Sequence, residues 1–204
     1  MNNVKQGKHS AEDTEALRPA LIVGIGGSAG ALSAYKTLLD AMPANTGMAF
    51  VIISHMNPTA NSQLALILSR HTKMKVNVAS MAMPVLSNHV YVIPPNSDIF
   101  IENYKFKVVS PRSIGHKQID VFFVSLAEAM GKRAIGIVLS GYDGDGSEGC
   151  KHIKAHGGKI FAQDMSAEID QMPLSAQASG CVDFILPLNK VPEKLKSLAA
   201  ELKI

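Results

Sequence analysis

Residues 21–30 read Leu-Ile-Val-Gly-Ile-Gly-Gly-Ser-Ala-Gly, an apolar run that ends in a glycine-rich turn. The apolar part predicts a buried strand, and the periodic apolar residues from Ala31 to Ala41 predict a helix directly after it. Glycines on both sides of Ser28 permit a sharp turn that would expose the serine hydroxyl. This segment therefore predicts the start of an α/β fold with a polar group at a strand end.

The glycine-rich turn admits three interpretations. Residues 26–30 match G-x-S-x-G, the nucleophile elbow of serine hydrolases. Gly24, Gly26 and Ala29 also match G-x-G-x-x-A, a dinucleotide phosphate loop, but the next predicted strand ends in Ser-His-Met (54–56) without the carboxylate that holds a ribose. The third interpretation is a structural turn in which the serine has no chemical role.

Strands and helices alternate along the rest of the chain. Most strands are continuously apolar, which is typical of a parallel sheet covered on both faces. Residues 98–109 instead alternate around Glu102 and Asn103, which predicts a hairpin. We expect a doubly wound α/β domain with a mostly parallel sheet, helices on both faces and a small antiparallel hairpin. Further strands are predicted at 48–54, 76–78, 89–93, 134–139, 159–162 and 182–186, and further helices at 63–68, 120–130, 146–155 and 192–202.

Composition narrows the class of protein. The 204 residues are 47% apolar and 18% charged, which predicts one folded domain over residues 19–204 after a flexible arm over residues 1–18. A net charge of +3 without a basic cluster argues against nucleic-acid binding. No apolar run approaches the ~20 residues of a membrane span, and no secretory signal precedes the domain. Cys150 and Cys181 lack metal-ligand spacing, so we expect free thiols in a cytoplasmic protein that does not enter a membrane.

Two more polar groups follow predicted strands at the same sheet edge as Ser28. His55 directly follows the second strand and could take a proton from the serine, or could simply bond to its own loop. Residues 140–146, Ser-Gly-Tyr-Asp-Gly-Asp-Gly, follow the strand at 134–139. Asp145 in this loop could orient the histidine, cap the next helix or belong to a calcium loop, although the glutamate of a calcium loop is missing. Together these residues favour a serine hydrolase.

Two other histidines, His152 and His156, have a spacing that could place both on one helix face. A third ligand is not apparent, and a solvated helix end is the simpler interpretation. No metal ion and no organic cofactor are needed by the hydrolase interpretation.

Several segments in order resemble the catalytic domain of the CheB-type protein-glutamate methylesterases of bacterial chemotaxis. The similarity runs from about Pro19 to Leu198, and is closest to the form found in methylesterase–methyltransferase fusions, although this chain carries no methyltransferase part. The segments that carry it are residues 24–30, Ser-His-Met at 54–56, His-Val-Tyr-Val-Ile-Pro-Pro-Asn at 89–96, Val-Leu-Ser-Gly-Tyr-Asp-Gly-Asp-Gly at 138–146, and Gln163-Asp164 with Met172-Pro173.

The resemblance implies a doubly wound α/β serine esterase. It would hydrolyse glutamate γ-methyl esters on chemoreceptors to glutamate and methanol, and deamidate receptor glutamines. By position, Ser28 would be the nucleophile, His55 the base and Asp145 its orienting acid. Backbone N–H groups near Ala29 and Tyr142 would hold the oxyanion. Met172 and Pro173 would line the active-site cleft.

The sequence departs from the family pattern at several places. Gly30 is followed by Ala31 instead of a second glycine, and Asp143 replaces a glycine of the acid loop. This second charge near Asp145 could raise the pKa of either carboxylate or of His55. The segment from 163 to 172 is one residue short and has Gln171 where glycine is usual. No receiver domain precedes the catalytic domain, so we expect constitutive activity or control by a separate receiver protein.

The altered acid loop motivates an alternative from another class. In it, the chain is a non-catalytic signalling module that keeps the fold and binds a protein partner. A nucleotide-binding domain is a third class, which the missing ribose carboxylate disfavours.

Overall fold

The structure is a computed structural model that describes residues 17–55, 61–113 and 115–202. Most of the arm predicted over residues 1–18 therefore lies outside the described residues. The strands are β1 Ile22–Gly27, β2 Ala49–Ser54, β3 Lys75–Val78, β4 His89–Val92, β5 Asp98–Glu102, β6 Lys105–Val109, β7 Ala134–Val138, β8 Lys159–Gln163 and β9 Phe184–Leu186. The α-helices are α1 Ala31–Ala41, α2 Asn61–Leu68, α3 Gln118–Met130, α4 Ser147–Ala155, α5 Gln171–Ala178 and α6 Val191–Glu201.

Seven strands form one sheet in the order β3-β4-β2-β1-β7-β8-β9, and every neighbouring pair in it is parallel. Strands β5 and β6 form a separate antiparallel hairpin. β1 lies in the centre, between β2 on one side and β7 on the other. The predicted fold class is confirmed. The order also places the carboxyl ends of β1, β2 and β7 side by side, where α/β proteins bind their ligands.

The sheet is covered on both faces by hydrophobic residues. One core contains buried residues of α1, α2 and α6, including Leu38, Leu64 and Leu195. The other contains residues of α3, α4, α5 and the hairpin, including Phe122, Ile153 and Phe106. The central strands β1, β2 and β7 are buried along their whole length, which is why their sequences lack polar alternation. Among the described residues, no helix is both long and apolar enough to cross a bilayer.

Most predicted elements lie within a few residues of the observed ones, and helix α1 has the predicted bounds. Helix α5 is absent from the sequence-based prediction, because Pro173 and the polar residues around it conceal a helical pattern. Pro173 lies in the first turn of α5, where a proline is tolerated since its missing N–H would have no helical partner there. Cys150 and Cys181 are both free thiols.

Candidate active site

Ser28 follows β1 in a turn shaped by backbone sterics. Gly30 begins helix α1 with φ of 75°, a left-handed conformation that favours glycine. A Cβ atom at Gly30 would also lie 2.6 Å from Ser140 Oγ, so the position has no room for a side chain. The N–H of Ser28 donates to the carbonyl of Ser140 at 2.9 Å, and this bond continues the pairing of β1 with β7. Ser28 is thereby held at the sheet edge, beside the first turn of α1.

His55 directly follows β2, which neighbours β1 on the side opposite to β7. In the register of the two parallel strands Gly27 pairs with Ser54, so Ser28 and His55 come next on neighbouring strands, roughly 4.8 Å apart in such sheets. The His55 side chain is 3% exposed, and its Nε2 lies 2.6 Å from Asp145 Oδ2. Among the described residues, no hydrogen bond joins the Ser28 hydroxyl to His55. Because Nε2 is engaged with Asp145, Nδ1 is the ring nitrogen available to the serine.

Asp145 is held by the start of helix α3. Its Oδ2 accepts the N–H of Ile119 and its Oδ1 accepts the N–H of Asp120, each at 2.9 Å. The first N–H groups of a helix have no partner within the helix and carry partial positive charge, which favours a carboxylate there. The Asp145 side chain is 1% exposed. A buried carboxylate with these bonds is well placed to fix the His55 ring and to stabilise its positive charge.

Asp143 also faces the histidine. Its Oδ2 lies 3.3 Å from His55 Nδ1, and its side chain is 44% exposed. This contact does not meet hydrogen-bond geometry, so among the described residues the buried Nδ1 atom has no hydrogen-bond partner. Burial of the ring lowers the pKa of His55, but the hydrogen bond and charge of Asp145 and the charge of Asp143 outweigh it. The pKa of His55 is therefore raised above its ordinary value.

Sequence reasoning missed His116, Lys117 and Asp120, which tertiary contacts bring to the His55–Asp145 pair. The ring of His116 packs edge-on against that of His55, with centroids 5.7 Å apart. Asp120 accepts the N–H of Gly149 and the ammonium of Lys117. Burial raises the pKa of Asp120, and the nearby Asp145 raises it further. The sequence signal for these residues was a run of polar side chains at the start of a strongly apolar helix.

Ser140 is a second group that the sequence did not single out. Its hydroxyl donates to the carbonyl of Ala29 at 2.8 Å and accepts the N–H of Ile169 at 3.0 Å. Its N–H donates to Gln163 Oε1 at 3.1 Å. Ser140 therefore ties the turn after β1 to the segment after β8. The signal for it was a polar residue directly after the apolar run predicted as a strand at 134–139.

The predicted cleft residues lie at different depths. Ala29 is partly buried, and Tyr142 is 63% exposed. Met172 and Pro173 are buried in the first turn of α5. A Cβ atom at Gly141 would lie 2.6 Å from Met172 Cε and 3.1 Å from Ser28 Cβ, so Gly141 separates the two side chains. Met172 is fully buried and packs beside Gly141, and its role in lining the cleft stays a prediction.

A metal centre needs several His, Cys, Asp or Glu side chains close together. Within the described ranges, no three His, Cys, Asp or Glu side chains are grouped closely enough to hold a metal ion. His156, one of the two histidines that the sequence analysis considered, places its Nδ1 2.8 Å from the backbone carbonyl of His152. His156 follows the last residue of α4, so this contact lies at the carboxyl end of that helix.

A family model described as CheB methylesterase matches residues 23–195, which include every part of this site. The chain belongs to the CheB methylesterase family. The resemblance found in the sequence is thus confirmed, while the likeness to fusion proteins stays a prediction. The crystal structure of the Thermotoga maritima CheB methylesterase catalytic domain superposes with a TM-score of 0.81 at 28% identity, over 87% of this chain and 98% of that one.

Curated relatives from several organisms are named as protein-glutamate methylesterases/protein-glutamine glutaminases. A putative protein-glutamate methylesterase/protein-glutamine glutaminase of Leptospira interrogans is 34% identical over 85% of this chain and 91% of its own length. The protein-glutamate methylesterase/protein-glutamine glutaminase of Trichodesmium erythraeum is 33% identical, and that of Hydrogenovibrio crunogenus 29%. The chain spans 51% and 49% of these two relatives, respectively, and therefore matches about half of their length.

Proposed function

We propose that this chain is a cytoplasmic serine carboxylesterase that hydrolyses glutamate γ-methyl esters on chemoreceptors, giving glutamate and methanol. It also deamidates receptor glutamines, as the names of its relatives suggest for those proteins. The observation that carries the proposal is the buried His55–Asp145 pair at 2.6 Å beside Ser28, at the carboxyl ends of three adjacent strands.

In the proposed reaction, Ser28 Oγ attacks the ester carbonyl carbon while His55 Nδ1 takes the hydroxyl proton. Asp145 holds the opposite nitrogen and stabilises the imidazolium that forms. The tetrahedral intermediate collapses with loss of methoxide, which takes the proton from His55 and leaves as methanol. Water then gives its proton to His55 and attacks the acyl-serine, and collapse releases the glutamate and restores the Ser28 hydroxyl.

The negative oxygen of the tetrahedral intermediate needs hydrogen-bond donors. We assign this role to the backbone N–H groups of Ala29 and Tyr142, which flank Ser28 on its own turn and on the loop after β7. The start of α1 beside Ser28 adds the partial positive charge of a helix N-terminus. Because a backbone group is the donor, the exposed Tyr142 ring is free to face the substrate.

A protein substrate is supported by exposed apolar side chains in the segments that follow β7 and β8. These side chains belong to Tyr142 in the loop after β7, Met165 after β8 and Leu174 on α5. Large apolar side chains exposed to solvent favour contact with another protein. We propose that these segments receive the methylated receptor segment and, where regulation exists, a separate receiver protein.

The test is methanol release from methylated receptor membranes by the wild type, Ser28→Ala and the control Ser33→Ala. Ser33 is an exposed serine in the first turn of α1 and has no assigned role. We expect a loss of roughly 10³-fold or more for Ser28→Ala and wild-type rates for Ser33→Ala.

Retained activity in Ser28→Ala would remove the nucleophile assignment. Absence of release from a folded wild type, together with receptor binding that Ser28→Ala does not change, would favour the non-catalytic signalling module.

A further inference from the structure

The His55 ring lies between two carboxylates of one loop. Asp145 is buried and bonds to Nε2, whereas Asp143 is half-exposed and faces Nδ1 at 3.3 Å. Asp143 is held in this position by its other oxygen, because Oδ1 accepts the N–H of Asp145 at 3.1 Å. One short turn thus supplies a negative charge to each nitrogen of the ring.

The two contacts differ in what they do to catalysis. Asp145 occupies the nitrogen that the serine does not use. Asp143 faces Nδ1, the atom that must accept the Ser28 proton, and a carboxylate has no proton to donate to it. The contact is therefore attractive only while Nδ1 carries a hydrogen, and it turns repulsive once the neutral ring exposes its lone pair there.

We propose that Asp143 is a positioning residue that holds the protonated His55 Nδ1 at low pH and so withholds this nitrogen from Ser28 until the proton is lost. The inference rests on the proposed function for the role of Ser28. Asp143 stabilises the imidazolium, so the acid limb of the activity lies at higher pH than it would without this charge.

Other groups that face His55 do not replace this effect. His116 packs edge-on against the ring from the segment before α3, and its imidazole supplies no negative charge. Lys117, next to it, pairs with Asp120 at 3.2 Å. The turn after β1 contributes the uncharged Ser28. The carboxylates of Asp143 and Asp145 are thus the anions in direct contact with the ring among the described residues.

The variant Asp143→Asn removes the charge and keeps an oxygen able to accept the N–H of Asp145. Asp164→Asn is a matched control. Asp164 follows β8 at the same sheet edge, and its Oδ1 accepts the N–H of Ser166, two residues on, at 3.1 Å, just as Asp143 accepts that of Asp145. Both variants therefore remove one negative charge from the same kind of turn, but only one removes it from His55.

The first measurement is the pH titration of the His55 ring by NMR, with the resonance assigned by its loss in His55→Gln. In Asp143→Asn the ring should titrate at lower pH than in the wild type, and Asp164→Asn should leave it unchanged. In 1 M salt the difference in His55 titration between wild type and Asp143→Asn should shrink. The Debye length is then ~3 Å, so salt screens the half-exposed charge of Asp143 from the ring. An unchanged or opposite titration in Asp143→Asn overturns the inference.

The second measurement is methanol release at pH 5.5 and 8.5. For Asp143→Asn, kcat/KM should rise by roughly two- to fivefold at pH 5.5, the size expected for a partly exposed ion pair, and should not rise at pH 8.5. If the wild type releases methanol and Asp143→Asn shows the same pH profile, the inference about Asp143 is overturned and the proposed function is not. No release by any variant, with the NMR shift present, overturns the proposed function and leaves the role of Asp143 toward His55 standing.

Discussion

Two strand-to-helix connections meet at the active site, and they are shaped by different forces. The turn after β1 is shaped by sterics, since Gly30 has a left-handed backbone and no space for a Cβ atom. The loop after β7 is shaped by hydrogen bonds, since Asp145 accepts two N–H groups of α3 and one from His55. Both connections contact residues far along the chain, Ser140 for the first and the start of α3 for the second, so they differ in the force that shapes them.

This difference separates two kinds of tolerance to substitution. A steric turn is sensitive to any added atom and insensitive to charge. A loop organised by a buried carboxylate is sensitive to charge even when the new side chain has the same size. A substitution that adds size without charge should therefore harm the turn after β1, and one that removes charge without changing size should harm the loop after β7.

The largest effect is expected for Asp145→Asn in the loop after β7. The new side chain has the same size, but its amide cannot accept hydrogen bonds at both positions and carries no charge to stabilise the imidazolium. We expect kcat to fall roughly 10³- to 10⁴-fold with the fold retained, measured by methanol release and circular dichroism. Asp164→Asn serves as control, and a fall of less than tenfold in Asp145→Asn would contradict the assigned role.

A smaller effect on stability is expected for Gly30→Ala in the turn after β1. An alanine there would take a left-handed conformation and press on Ser140 Oγ, so the free energy of unfolding should fall by roughly 1–3 kcal/mol. Gly47→Ala is the matched control, because Gly47 has φ of 71° and a Cβ atom added there would have no neighbour within 4 Å. Urea unfolding of both variants separates backbone strain from the clash. Equal losses would show that the added contacts with Ser140 and Glu168 contribute nothing.

The smallest effect is the contribution of His55 to stability as a function of pH. Because the pKa of His55 is raised in the folded protein, its charged form stabilises the fold fully below the unfolded pKa of about 6.5, and this stabilisation is lost as pH rises through the folded pKa. The free energy of unfolding of the wild type relative to His55→Gln should therefore fall as pH rises above about 6.5. Urea unfolding across that range checks it, and a constant difference would contradict the raised pKa.

The sequence alone was sufficient where local pattern and local structure coincide. Apolar runs predicted the buried strands, and glycine spacing predicted the turn that presents Ser28. Helix α5 was missed because only Met172, Pro173 and Ala176 of its residues are buried, which leaves too weak a periodicity to detect. Its place in the fold follows from packing against β7 and β8, which no local signal reveals.

The sequence by itself determined that this is a parallel α/β domain with a serine, a histidine and an aspartate at strand ends. Strands buried on both faces are continuously apolar, and tight turns after strands require glycines, so both features can be recognised in the sequence. Only the tertiary structure decided which ring nitrogen of His55 meets Asp145, that α3 holds this aspartate, and that Asp143 faces the other nitrogen. These relations depend on strand order and on the docking of α3, which bring together residues far apart in the chain.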